Sequence, residues 1–210
     1  MTDAPTNPKT DQEAIWDRLV KIGMANAISG LSTMVGQEIA ATKLETRKHL
    51  IKDVPALLGG AETTAVGVMI SIESHPGYIA LVYQPNVAWN LVDILLDRPE
   101  GTTGAPDIYS LEELERSTLG EMGNVMGTFF LNAVADRTGY ELRPTPPVVM
   151  MDMIGSIIDA ALAEIMITAD EIILVDAVFG TKDRQINGKF VVMPSPGLLA
   201  DVMKAWGKAA

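Results

Sequence analysis

Two side chains in the segment "STLGEMGN", residues 117–124, are suited to work at a surface: the Glu121 carboxylate and the Asn124 carboxamide, three positions apart. On a helix that spacing sets them one turn apart on one face, projecting together. A carboxylate only accepts hydrogen bonds, whereas a carboxamide both donates and accepts. The surrounding pattern is helical. Ser117, Glu121, Asn124, Thr128, Asn132 and Ala135 fall in one narrow polar arc, and Leu119, Met122, Met126, Phe129, Phe130 and Ala133 fall opposite, toward a core. Gly120, Gly123 and Gly127 form a third strip beside the polar arc. Each interior glycine costs a helix about 1 kcal/mol relative to alanine. The strip therefore implies a close approach to the backbone, by a neighbouring helix or by a partner protein.

The elements that must carry this pair recur along the chain. Placing residues 18–36 under 121–139 sets Gly36 on Gly139 and Ile22 on Val125, and both segments stop at a glycine that can terminate a helix. Each is followed by an extended piece, then by a small-residue segment led by Asp53 or Asp152, two strand-like runs and an amphipathic helix. The runs are "TAVGVMISI" and "YIALVYQ" in the first half, "EIILVDAVF" and "KFVVM" in the second. Val66, Val68, Ile70 and Ile72 alternate at the strand period, and Asn187-Gly188 reads as a hairpin turn between the last two strands. Helices over 86–97 and 197–206 close the two halves. The expected fold is α+β: one internally duplicated, pseudo-twofold domain with long surface helices on a shared β-sheet. Residues 1–10 read as a flexible leader, and the Gly/Pro-rich loop 97–107 joins repeats 11–97 and 108–210.

Composition narrows the function. There is no cysteine, and His49 and His75 are the only histidines, which excludes thiolate and His-rich metal sites. The net charge of −11 and the lack of any Lys/Arg cluster argue against nucleic acid. "TRKH" at 46–49, the most basic patch, reads as a solvated strand end. No apolar run is long enough for a membrane span, and the first residues lack a signal-peptide pattern, so a soluble, cytoplasmic protein is expected. The phosphate loops GxGxxG and GxxxxGK[ST] are absent.

The run Ser117-xxx-Glu121-xx-Asn124, followed after 22 residues by Pro147, resembles the signature of the CheC/CheX/FliY family of CheY-phosphate phosphatases, and of its CheC branch in particular. "GMANAISGLS" at 23–32 is similar to the family's other helix, and the similarity extends over nearly all of the chain after residue 11. The resemblance implies dephosphorylation of a phosphorylated CheY-type receiver. Glu121 would dock against the receiver's lysine, and Asn124 would orient the attacking water on the aspartyl phosphate. Ser117 and Pro147 would support the motif, while Gly120, Gly123 and Thr128 are candidates for contact with the partner. No cofactor of its own is implied, and Mg2+ is expected on the receiver. A carboxamide suits the task physically, since it orients a water without bringing negative charge to a phosphoryl group.

In the first half the corresponding positions are Ala14, Arg18 and Lys21. Arginine and lysine are donors only, so that site is expected to be catalytically dead. Ala25 replaces a family glycine, which puts the close-approach role of that helix in question. The alternative function is an adaptor that binds and regulates the receptor deamidase CheD. A flagellar-switch role like that of FliY is disfavoured because the chain ends at Ala210. A monomer is expected, with the twofold built internally.

Overall fold

The computed structural model describes residues 11–73, 77–103, 111–165 and 171–209. The expected leader 1–10 and the later part of the connecting loop lie outside them. In order the elements are α1 (Asp11–Val35), β1 (Ala40–Leu50), α2 (Val54–Leu58), β2 (Thr64–Ser71), β3 (Gly77–Tyr83), α3 (Pro85–Leu95), α4 (Glu113–Thr138), β4 (Val148–Met153), α5 (Ile154–Ile165), β5 (Glu171–Gly180), β6 (Gln185–Pro194) and α6 (Pro196–Ala209). The order helix, strand, helix, strand, strand, helix occurs twice.

One six-stranded antiparallel sheet runs β1-β5-β6-β3-β2-β4. Exchanging the halves and reading from the other edge returns the same order, so the sheet has the expected pseudo-twofold. Each half's first strand lies beside the other half's second: β1 pairs with β5, and β4 with β2. Neither half completes its own sheet.

Strand alternation then divides the core. Val66, Val68 and Ile70 point to one face, where α1, α3, α4 and α6 cover them with residues such as Leu19, Val92, Met126 and Val202. Ala65 and Met69 point to the other, under α2 and α5. Within the larger core the Phe130 and Phe190 rings meet in a tilted pair, centroids 5.1 Å apart. Helix ends follow local chemistry. Gly36 and Gly139 both take the left-handed conformation, φ 70° and 72°, and their amides close onto Ser32 and Ala135 at 3.0 and 2.7 Å. Glu113 and Glu115 in the first turn of α4, and Arg137 in its last, complement the helix dipole. Among the described residues no helix is long and apolar enough to cross a membrane.

The Asn187-Gly188 turn is not where the sequence pattern places it. Both residues lie inside β6, opposite Val178 and Ala177, and the hairpin closes earlier, between Gly180 and Gln185. Gly188 is required for packing instead: a Cβ there would lie 2.6 Å from the Tyr83 ring. The "TRKH" patch is, as expected, on the exposed edge strand β1, where Arg47 and Lys48 face solvent. The start of the connecting loop is tied down by an interior carboxylate, Asp93 of α3, which accepts from the amides of Thr102 at 3.0 Å and Thr103 at 2.8 Å.

Tyr83 is fully buried and its hydroxyl has no hydrogen-bond partner among the described residues. Burial disfavours the phenolate and pushes the Tyr83 phenol well above its ordinary range. Because the raised group belongs to the folded state, its contribution to stability is complete below about pH 10 and declines as pH rises further. Tyr83→Phe is expected to raise unfolding stability by about 1 kcal/mol at neutral pH and to flatten the alkaline loss, read by urea denaturation at pH 7 and pH 10.5.

Candidate functional site

Helix α4 carries the chemistry. Ser117, Glu121, Asn124 and Asn132 are exposed along it, and Thr128 is half-buried among them. Leu119, Met122, Met126, Phe130 and Ala133 are buried on the other side, so the polar arc is a solvent face over most of its length. Glu121 and Asn124 have no hydrogen-bond or ion-pair partner among the described residues. Their polar atoms are available to something outside the chain.

Pro147 is brought to this helix by the chain's return into β4. A Cβ at Gly123 would lie 3.5 Å from Pro147 Cβ, so the proline packs against the bare backbone between Glu121 and Asn124. Its place in the signature has a physical basis: it leads the edge strand beneath the working face. Arg116 adds a tie absent from the sequence reading. Its guanidinium donates to the Val149 carbonyl of β4 at 2.6 Å, fastening the first turns of α4 to the same strand.

The glycines require a correction. Neither a neighbouring helix nor an outside partner occupies the close approach at Gly123 and Gly127; both are buried against the protein's own sheet. A Cβ at Gly123 would stand 2.5 Å from Val68 Cγ1, and one at Gly127 would stand 2.8 Å from Ile70 Cδ1. Gly120 is half-buried, its nearest neighbour being Val149 Cγ2 at an ordinary 3.6 Å. The strip and the polar arc are therefore separate faces.

Close helix–helix packing does occur, but the glycines that allow it belong to α1. Cβ atoms at Gly23 and Gly30 would fall 2.5 Å and 2.7 Å from the rings of Phe130 and Phe129 of α4. Phe129, expected in the core, is 41% exposed and lies over Gly30 instead. Ala25, whose glycine was expected to matter for close approach, faces solvent, so its replacement leaves the helix contact intact. The seven-residue spacing of Gly23 and Gly30, two turns on one face, was the signal in the sequence.

The first-half counterparts are also surface residues. Ala14, Arg18 and Lys21 are exposed on α1, and Lys21 is engaged with Asp17 one turn back at 2.9 Å. Arg18 has no partner among the described residues. The two helices thus present unlike faces: carboxylate and carboxamide on α4, cations on α1.

An α+β sheet exchanged between two repeats, with paired long helices across one face, defines a CheC-like fold. No family model matches the sequence. The chain is 25% identical over 171 residues to the CheY-P phosphatase CheC of Bacillus subtilis, an alignment covering 80% of this chain and 79% of that protein. Among solved structures it resembles FliY of Thermotoga maritima, with a TM-score of 0.70 at 16% identity, over 97% of this chain and 100% of that one. It also resembles the FliM middle domain of H. pylori, with a TM-score of 0.65 at 12% identity, over 94% and 99% of the two chains. In sequence the chain is thus similar to a CheC protein, and in fold to FliY and the FliM middle domain.

Opposite effects are expected from adding one methyl group at two helix glycines. Gly120→Ala, with ordinary contact at Val149, is expected to stabilise the protein by about 0.5–1 kcal/mol. Gly23→Ala, which drives a Cβ into the Phe130 ring, is expected to destabilise it by about 1–3 kcal/mol. Denaturant midpoints of the two variants provide the comparison.

Proposed function

We propose that the protein is a phosphatase of a phosphorylated CheY-type receiver, working through the α4 face alone. The observation that carries this reading is the pair of exposed groups, Glu121 and Asn124, one turn apart on a helix anchored to the sheet and without a partner among the described residues. The similarity to the CheY-P phosphatase CheC supports it.

In this reading the Glu121 carboxylate meets a lysine of the receiver and sets the register of docking, the usual use of a charge at the rim of an interface. Asn124 accepts a hydrogen bond from a water and aims its lone pair at phosphorus, in line with the bond to the aspartate. That P–O bond breaks, the receiver's aspartate leaves as a carboxylate, and the water's oxygen and protons end on inorganic phosphate and solvent. Orientation is the contribution of this chain. Charge on the transferring phosphoryl group is handled by the receiver's own lysine and Mg2+, as phosphoryl transfer requires. This accounts for how an acidic chain with no phosphate loop acts on phosphate. On α1, Arg18 and Lys21 offer donors only and cannot hold a water in the same way.

Asn124→Ala is expected to lower the rate of phosphate release from a phosphorylated receiver about 100-fold with little change in receiver affinity. Glu121→Ala is expected to weaken receiver binding about tenfold, with a reduced dependence on salt. Substituting Arg18 and Lys21 by alanine is expected to leave turnover unchanged. Stopped-flow phosphate release and a binding titration separate these effects, and wild-type turnover in Asn124→Ala overturns the assignment.

A further inference from the structure

The two long helices are seated differently on the sheet. Where α4 has Gly123 and Gly127, the superposition of Gly36 on Gly139 gives α1 the fully buried Val20 and Met24. Side chains stand between α1 and the core, whereas the backbone of α4 rests on Val68 and Ile70 of β2. The helix set down on the sheet is the one that retains Glu121 and Asn124.

Val68 has little freedom to yield. Its strand is held on both sides, with Val68 opposite Leu81 of β3 and Val149 of β4. Its side chain is fully buried, and a β-branched residue has few χ1 positions to choose from. Contact at Gly127 is made by the far end of a longer side chain, Ile70 Cδ1, which can turn aside. Pro147 closes the other side of Gly123. The depth of the helix at Asn124 is therefore set at Gly123.

We infer that Gly123 is a positioning residue for the reaction: by admitting Val68 and Pro147 against the α4 backbone it fixes how far Asn124 projects toward a docked receiver. The inference rests on the phosphatase reading above. A methyl group at Gly123, meeting Val68 at 2.5 Å, must lift the helix by about 1 Å to reach normal contact. A displacement of that size at a water-orienting group costs about 100-fold in rate, while a docking surface several residues wide tolerates it.

The test is single-turnover and steady-state dephosphorylation of a phosphorylated receiver by the full chain. Gly123→Ala is expected to lower kcat between ten- and 100-fold with receiver affinity unchanged within about threefold. Gly127→Ala is expected to fall less than about threefold, because Ile70 can move. In Gly123→Ala/Val68→Ala, which removes the γ-methyl that the new Cβ would meet, kcat is expected to return to within about threefold of wild type, a rescue that general damage to the fold would not give. Should Gly123→Ala fail to fold by circular dichroism, Val68→Ile places an extra methylene under the same glycine and carries the same expectation. Full kcat in the single variant, or a double variant as slow as the single, overturns the inference. Asn124→Ala in the same assay separates the two levels. If it is slow while Gly123→Ala is fast, only the positioning role falls; if Asn124→Ala is itself fast, the phosphatase reading falls with it.

Discussion

At Gly123 the backbone of α4 lies against one methyl group of Val68 with no side chain between them, and Pro147 packs on the same bare turn. One close contact thus joins the helix that bears Glu121 and Asn124, the strand β2 that runs beneath it, and the entry into β4. Arg116, reaching the Val149 carbonyl, fastens α4 to β4 two turns earlier. A surface helix with no other constraint would slide or tilt on an apolar sheet, because side-chain packing tolerates small shifts at little cost. A backbone resting on a β-branched side chain in a strand paired on both edges has no such latitude.

The sheet supplies the rigidity. Because β1 pairs with β5 and β4 with β2, each half depends on the other for a strand partner, and the halves form one cooperative core. The duplication does not make them equal. Gly23 and Gly30 of α1 receive the Phe130 and Phe129 rings of α4, while Gly123 and Gly127 of α4 receive the sheet. One helix is hollowed toward its partner helix and the other toward the strands below. Charge follows the same asymmetry, with Arg18 and Lys21 exposed at the positions that carry Glu121 and Asn124 in the second half.

Much of this was legible in the residues. The polar arc of α4, the left-handed stops at Gly36 and Gly139 and the alternating Val66, Val68 and Ile70 depend on local periodicity and on glycine's conformational freedom, which act within a few residues. The signature spacing from Ser117 to Pro147 survives in linear sequence because the helix, the return loop and the edge strand are consecutive. Asn187-Gly188 misled because the dipeptide favours a turn only where no neighbour decides otherwise; in β6 the Tyr83 ring claims the space over Gly188. Phe129 follows the apolar arc in sequence, yet lies half-exposed over Gly30 because α1 offered a groove there.

By itself the sequence determined where the two long helices end, that Val66, Val68 and Ile70 alternate along one strand, that two repeats exist, and that only the second keeps a carboxylate and a carboxamide at the working spacing. Those are properties of neighbours along the chain, settled by backbone geometry and side-chain type. Only the tertiary structure decided what meets each glycine. A missing Cβ records that space is needed but not whose atoms fill it, and that depends on which strand passes beneath the helix. Here it is Val68, 55 positions before Gly123 in a strand of the other repeat, and the height of Asn124 above the sheet is set by that contact.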